Sequence, residues 1–146
     1  LEESPYFDLS AVPISNATSI EMALQTGMFA YPSSSPIRPS GKEYMYQIAY
    51  LQAIFPSQSE SSRYRVIVMD RDGSNRHEVF PPEDAQGINP QTPIWAPEPI
   101  SGQEGDFLAV VYQGNLWLVD SASGQSHQIT GDGLISRIDW QSLEEK

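Results

Sequence analysis

The chain has 146 residues, near the commonest size of a single domain, and 39% of them are hydrophobic, which supports one compact unit with a modest core. Eight basic against nineteen acidic side chains give a net charge of -11, which argues against nucleic acid and against an anionic membrane surface as partners. There is no cysteine, so disulfides, thiolate chemistry and Cys-based zinc sites are excluded, and no apolar run approaches the length of a membrane-spanning helix.

The opening Leu1-Glu2-Glu3-Ser4 has neither the basic nor the apolar region of a secretory signal, and no initiator Met precedes it, so a processed or excised chain is expected. Residues 1–35 are read as an N-terminal extension or cap. Strands are predicted over residues 6–12 and 28–31, ended by Pro13 and Pro32. Between them, Thr18-Ser19-Ile20-Glu21 fits a capping box ahead of Met22-Ala23-Leu24-Gln25 and a stop at Gly27. Ile20, Met22 and Leu24 also alternate as a strand would; the capping box is given the greater weight, which predicts a short helix. Asn16-Ala17-Thr18 is a formal glycosylation sequon, read as chance.

Beyond residue 35, Pro, Gly and Ser cut the sequence into short pieces with no sustained helical period, so the expected class is all-β. The clearest strands are residues 47–51, 64–69, 107–112 and 115–119. The last two are joined through Gly114, which can take the positive φ of a tight hairpin, so this pair is antiparallel.

The sequence also repeats. Val66-Ile67-Val68-Met69-Asp70 aligns with Leu116-Trp117-Leu118-Val119-Asp120, and each is followed by a Gly-containing turn, a His seven residues after the Asp, and a short strand. Upstream, Pro36-Ile37-Arg38 before Ser40-Gly41 is matched with Pro93-Ile94-Trp95 before Ser101-Gly102. A third start is read at Ser136-Arg137-Ile138-Asp139-Trp140, and Trp95 to Trp140 is 45 positions, within the span of a four-stranded propeller blade. The resulting division is 36–92, 93–137 and the beginning of a third repeat at 138–146.

These residues resemble the TolB-like, WD-like β-propeller repeat family. Val68-Met69-Asp70-Arg71-Asp72-Gly73-Ser74-Asn75 is similar to its Asp-Gly turn, and Pro36-Ile37-Arg38-Pro39-Ser40-Gly41-Lys42 with Ile48-Ala49-Tyr50 is similar to its Pro/Trp segment. Arg38 stands where the family usually has Trp, Ser40 where it has Asp, and Pro99-Ile100-Ser101-Gly102 is inserted after Glu98, so no ligand of the family's Asp-Gly turn is carried over. The resemblance implies antiparallel propeller blades, an incomplete propeller here, and a periplasmic or extracytoplasmic location.

Candidate chemistry is sparse. Asp70 to Asn75 has Gly at the fourth position and Pro81 at the twelfth, which does not fit an EF-hand, so it is read as a β-turn with Gly73 at positive φ and no metal. His77 and His127 are explained as equivalent positions of one repeat. No Gly-x-Ser-x-Gly elbow and no phosphate loop occurs, so no catalytic residue and no cofactor are assigned. Glu83-Asp84 and Glu144-Glu145 are read as solvated surface. Trp117 is expected in the core. For a ligand or partner at the face where first strands gather around a propeller axis, the candidates are Arg38, Trp95, Arg137, Asp139 and Trp140, which combine aromatic anchors with ionic groups.

The expected function is a noncatalytic propeller scaffold for protein interaction or ligand binding. The alternatives are an accessory part of a larger hydrolase or peptidase, and a saccharide-binding propeller. Closure needs at least four blades, so self-association or a larger parent chain is favoured over an N-terminal cap as the cover of exposed blade faces.

Overall fold

A computed structural model describes residues 7–143. The N-terminal hairpin pairs β1 (Phe7–Ala11) with β2 (Ile20–Gly27). A first antiparallel sheet follows in the order β3-β6-β7-β8, from β3 (Ser33–Ser34), β6 (Gln47–Ala53), β7 (Tyr64–Asp70) and β8 (His77–Phe80). The small hairpin β4 (Arg38–Ser40) with β5 (Glu43–Met45) interrupts it between β3 and β6. The second antiparallel sheet runs β9-β10-β11-β12, from β9 (Ile94–Trp95), β10 (Phe107–Tyr112), β11 (Asn115–Asp120) and β12 (Ser126–Gln128). Among the described residues there is no α-helix, only a 3-10 turn at Pro56–Gln58.

The two sheets are register-matched copies. Ala49 pairs with Val68 as Ala109 pairs with Leu118, and Val68 pairs with His77 as Leu118 pairs with His127. The entry into each sheet repeats too: Ser35 N–H donates to Gln47 O and Ala96 N–H to Phe107 O, both at 2.8 Å. Beyond the last strand, Ile88 N–H donates to Tyr64 O and Ile135 N–H to Gly114 O, again both at 2.8 Å.

Because side chains alternate across a strand, each copy divides its apolar residues between two faces. Ala49, Leu51, Val66, Val68 and Val79 of the first sheet meet Leu108, Val110, Tyr112 and Val119 of the second in the main core. Trp117 is half-buried against this core, its ring 5.6 Å from that of Phe80. The opposite face of the first sheet, Ile48, Tyr50, Ile67 and Met69, is covered by Met22, Ala23, Leu9 and Ala11 of the N-terminal hairpin. The order of layers is therefore hairpin, first sheet, second sheet. No closed ring of sheets is formed by the described residues.

Several expectations are corrected. Residues 20–27 are a strand instead of a helix, since pairing with β1 and burial of Met22 and Ala23 on the first sheet outweigh a local capping box. Residues 28–31 form no strand. The first strand of the first sheet is Ser33–Ser34 instead of Ile37-Arg38: Ser34 pairs with Ile48 as Trp95 pairs with Leu108, so Arg38 is not the counterpart of Trp95. Residues 136–140 form no third opening strand. Tyr6, expected in the first strand, and Glu144-Glu145 lie outside the described residues. The hairpin through Gly114 is a two-residue turn: Tyr112 pairs with Asn115, and Gln113 and Gly114 both have positive φ, 51° and 75°, as such a turn requires.

Candidate functional site

A groove of about 940 Å³ opens where the ends of both sheets meet the C-terminal segment. Its walls come from the irregular stretch between β8 and β9, the β10–β11 turn, residues 135–139, Tyr31 and Arg63. Hydrogen bonds fix the irregular stretch, the hairpin turn and residues 135–139. Gln91 clamps the edge of β10, its Nε2–H donating to Val111 O and its Oε1 accepting from Val111 N–H, both at 2.7 Å. Tyr112 Oη–H donates to Gln86 O at 2.8 Å, and the Ile135–Gly114 bond ties residues 131–139 to the hairpin. Gly114 permits that contact, because a Cβ there would lie 2.2 Å from Gly133 O.

Of the residues proposed from sequence, the structure brings Arg137 and Asp139 together in this groove. Asp139 is engaged locally, accepting from Trp140 N–H at 2.9 Å and from Gln141 Nε2–H at 3.2 Å. Trp140 is half-buried and outside the groove lining. Trp95 is 7% exposed, and its Nε1–H donates to Ser33 O at 3.1 Å, a bond that ties the first strands of the two sheets together. Arg38 lies away from the groove and pairs with Asp106 ahead of β10. Sequence reasoning missed Arg63, Gln91 and Gln113; the available signal was Asn89-Pro90-Gln91-Thr92-Pro93, where two prolines stiffen a stretch between strands.

The Asp70–Asn75 turn behaves as a turn. Gly73 has φ 84°, Asp70 N–H donates to Ser74 O at 2.8 Å, and Asp72 Oδ1 accepts from Ser74 N–H at 3.0 Å and from its hydroxyl at 2.5 Å. Those two bonds, the hydroxyl's first, hold the Asp72 carboxyl below the ordinary aspartate range. Burial pushes the Tyr50 and Tyr64 phenols up. His77 and His127 share a register position but differ in surroundings: His77 has Asn75 O at 2.9 Å and Ser121 O at 2.8 Å on its two ring nitrogens, bridging the sheets, whereas His127 is exposed. Among the described residues no three His, Asp or Glu side chains converge as a metal site requires, and every buried side-chain nitrogen and oxygen is hydrogen-bonded.

The second candidate surface is the outer face of the second sheet. Val111, Leu116 and Leu118 occupy the positions that Leu51, Val66 and Val68 hold in the first copy, and Ile129 follows His127 by two residues as Val79 follows His77, although a β-bulge in the first copy pairs Val66 with Phe80. The first-copy residues are buried by the second sheet, with Val79 5% exposed; Val111, Leu116 and Leu118 are half-buried, and Ile129 is 53% exposed. Comparison with protein-family models, characterised proteins and solved structures finds no match.

Proposed function

We propose that the chain is a noncatalytic scaffold of β-propeller type, working by sheet stacking, with the outer face of its second sheet taking a second copy of the chain. The observation that supports this most is the pair Val79 and Ile129, each two residues beyond the register-matched histidine: Val79 is 5% exposed where a sheet packs on it, and Ile129 is 53% exposed where none does. The N-terminal hairpin covers the other end of the stack, so the outer face of the second sheet is the end left to a partner. In a chain of net charge -11 this face presents aliphatic side chains and His127, with Asp120 only at its margin, so two copies can meet there face to face without opposing rows of carboxylates. The TolB-like resemblance, with its extracytoplasmic setting, agrees with such a role. A saccharide platform is less favoured, because Trp95 offers no open ring face. The accessory-to-a-hydrolase reading is separated by a Gly-x-Ser-x-Gly elbow in any longer parent chain.

Light scattering on a size-exclusion column tests the proposal. The wild-type chain, 16.2 kDa, is expected to run as a dimer, and Leu118→Glu to return it to one chain without loss of its β-type circular dichroism. A wild-type chain that stays monomeric at high concentration overturns the proposal.

A further inference from the structure

We propose that the groove at the sheet ends binds a peptide segment carrying carboxylate side chains. The groove shares Val111 with the stacking face but none of Leu116, Leu118 and Ile129, and its charged and amide side chains lie outside that face. Its basis is a local reversal of charge. Acidic residues outnumber basic ones 19 to 8 along the chain, yet the groove lining holds two arginines, Arg63 and Arg137, one aspartate, and no Lys, Glu or His. The aspartate, Asp139, is occupied by Trp140 and Gln141. Both arginines are exposed, and neither has an ion-pair or hydrogen-bond partner for its guanidinium among the described residues. Of the other four arginines, Arg38, Arg65 and Arg71 are paired with Asp106, Glu78 and Glu43, and Arg76 donates to Met22 O and Gly73 O.

An unpaired guanidinium presents a planar fork of donors that matches a carboxylate in two parallel bonds. In the same lining, the side-chain amides of Gln86, Asn89 and Gln113 make no hydrogen bond among the described residues and supply both donors and acceptors, which suits the backbone of an extended peptide. The Gln91 clamp and the Ile135–Gly114 bond hold the walls before any ligand arrives, which lowers the ordering cost of binding. The volume lies within the range of small-ligand sites, so the segment accommodated is a few residues long.

The test is fluorescence anisotropy with two fluorescein-labelled, end-capped peptides, pentaglutamate and pentaglutamine. Pentaglutamate is expected to bind at least about tenfold more tightly and to weaken as salt rises. Arg63→Gln and Arg137→Gln are each expected to weaken it about tenfold, whereas Lys42→Gln, an exposed cation outside the groove, leaves it unchanged. Equal binding of the two peptides, no binding of pentaglutamate, or an equal loss in Lys42→Gln overturns the inference. A monomer in light scattering leaves these outcomes unaffected, so the two proposals fail separately.

Discussion

Introducing a hydroxyl two residues beyond each of the matched histidines, Val79→Thr and Ile129→Thr, separates a covered sheet face from an open one. Val and Thr have nearly the same shape, so Val79→Thr leaves no cavity; it places a hydroxyl where the side chain is 5% exposed, inside the main core. A buried hydroxyl without a partner costs about 2 kcal/mol. For a chain of this length, with an unfolding entropy of roughly 2 cal/mol/K per residue, that is a fall in Tm of about 6 °C. Ile129 is 53% exposed, so its new hydroxyl stays hydrated and the loss is that of the partly exposed Cγ1–Cδ arm, about 0.5 kcal/mol or about 2 °C. Thermal melts followed by circular dichroism, run at a dilution where the chain is monomeric, read both values. Equal losses at the two positions would refute the claim that the second sheet's outer face lacks the cover its counterpart has.

Gly114→Ala is expected to cost more than about 2 kcal/mol in urea unfolding, since the new Cβ meets Gly133 O at a positive φ; Gly41→Ala, at φ 64° with nothing within 4 Å, should cost about 1 kcal/mol. Gly73→Ala has room beside Met22 and is likewise expected to cost about 1 kcal/mol, while added calcium leaves the wild-type Tm unchanged; a rise of several degrees with calcium would reassign that turn to a metal. In an NMR titration the Asp72 carboxyl should show its midpoint below 3.8, and Ser74→Ala should raise it. The folded state here holds the charged form, so this contribution to stability is complete above the unfolded aspartate range and is lost as pH falls through the depressed folded value.

The central strands were legible because their signals are local. Val66 to Met69 and Leu116 to Val119 are continuous runs of β-formers, and the Asp-to-His spacing marks both copies, so the matched register of His77 and His127 follows from sequence. The edge strands were not legible in the same way. Ser33–Ser34 carries no hydrophobic pattern and is a strand only through its pairing with Ile48 and Ala49. At residues 20–27 local capping and alternation were nearly balanced, and the first sheet decided the outcome by burying Met22 and Ala23. The groove depended on separations no motif records: Arg63 and Arg137 are 74 positions apart in the chain and line one groove only because the second copy returns its C-terminal segment to the sheet ends. Trp95, proposed as an aromatic anchor, instead spends its indole N–H on the opening strand of the other copy, a contact that only the paired sheets create.

Solvent exposure of individual methyl groups, read by NMR with a soluble paramagnetic probe across a dilution series, tests the stacking account most directly. In dilute solution the methyls of Leu118 and Ile129 should be relaxed strongly while those of Val68 and Val79 are not, and at high concentration the first pair should become protected. Leu118 and Ile129 as protected as Val68 and Val79 at every dilution, or open at every concentration, would contradict it.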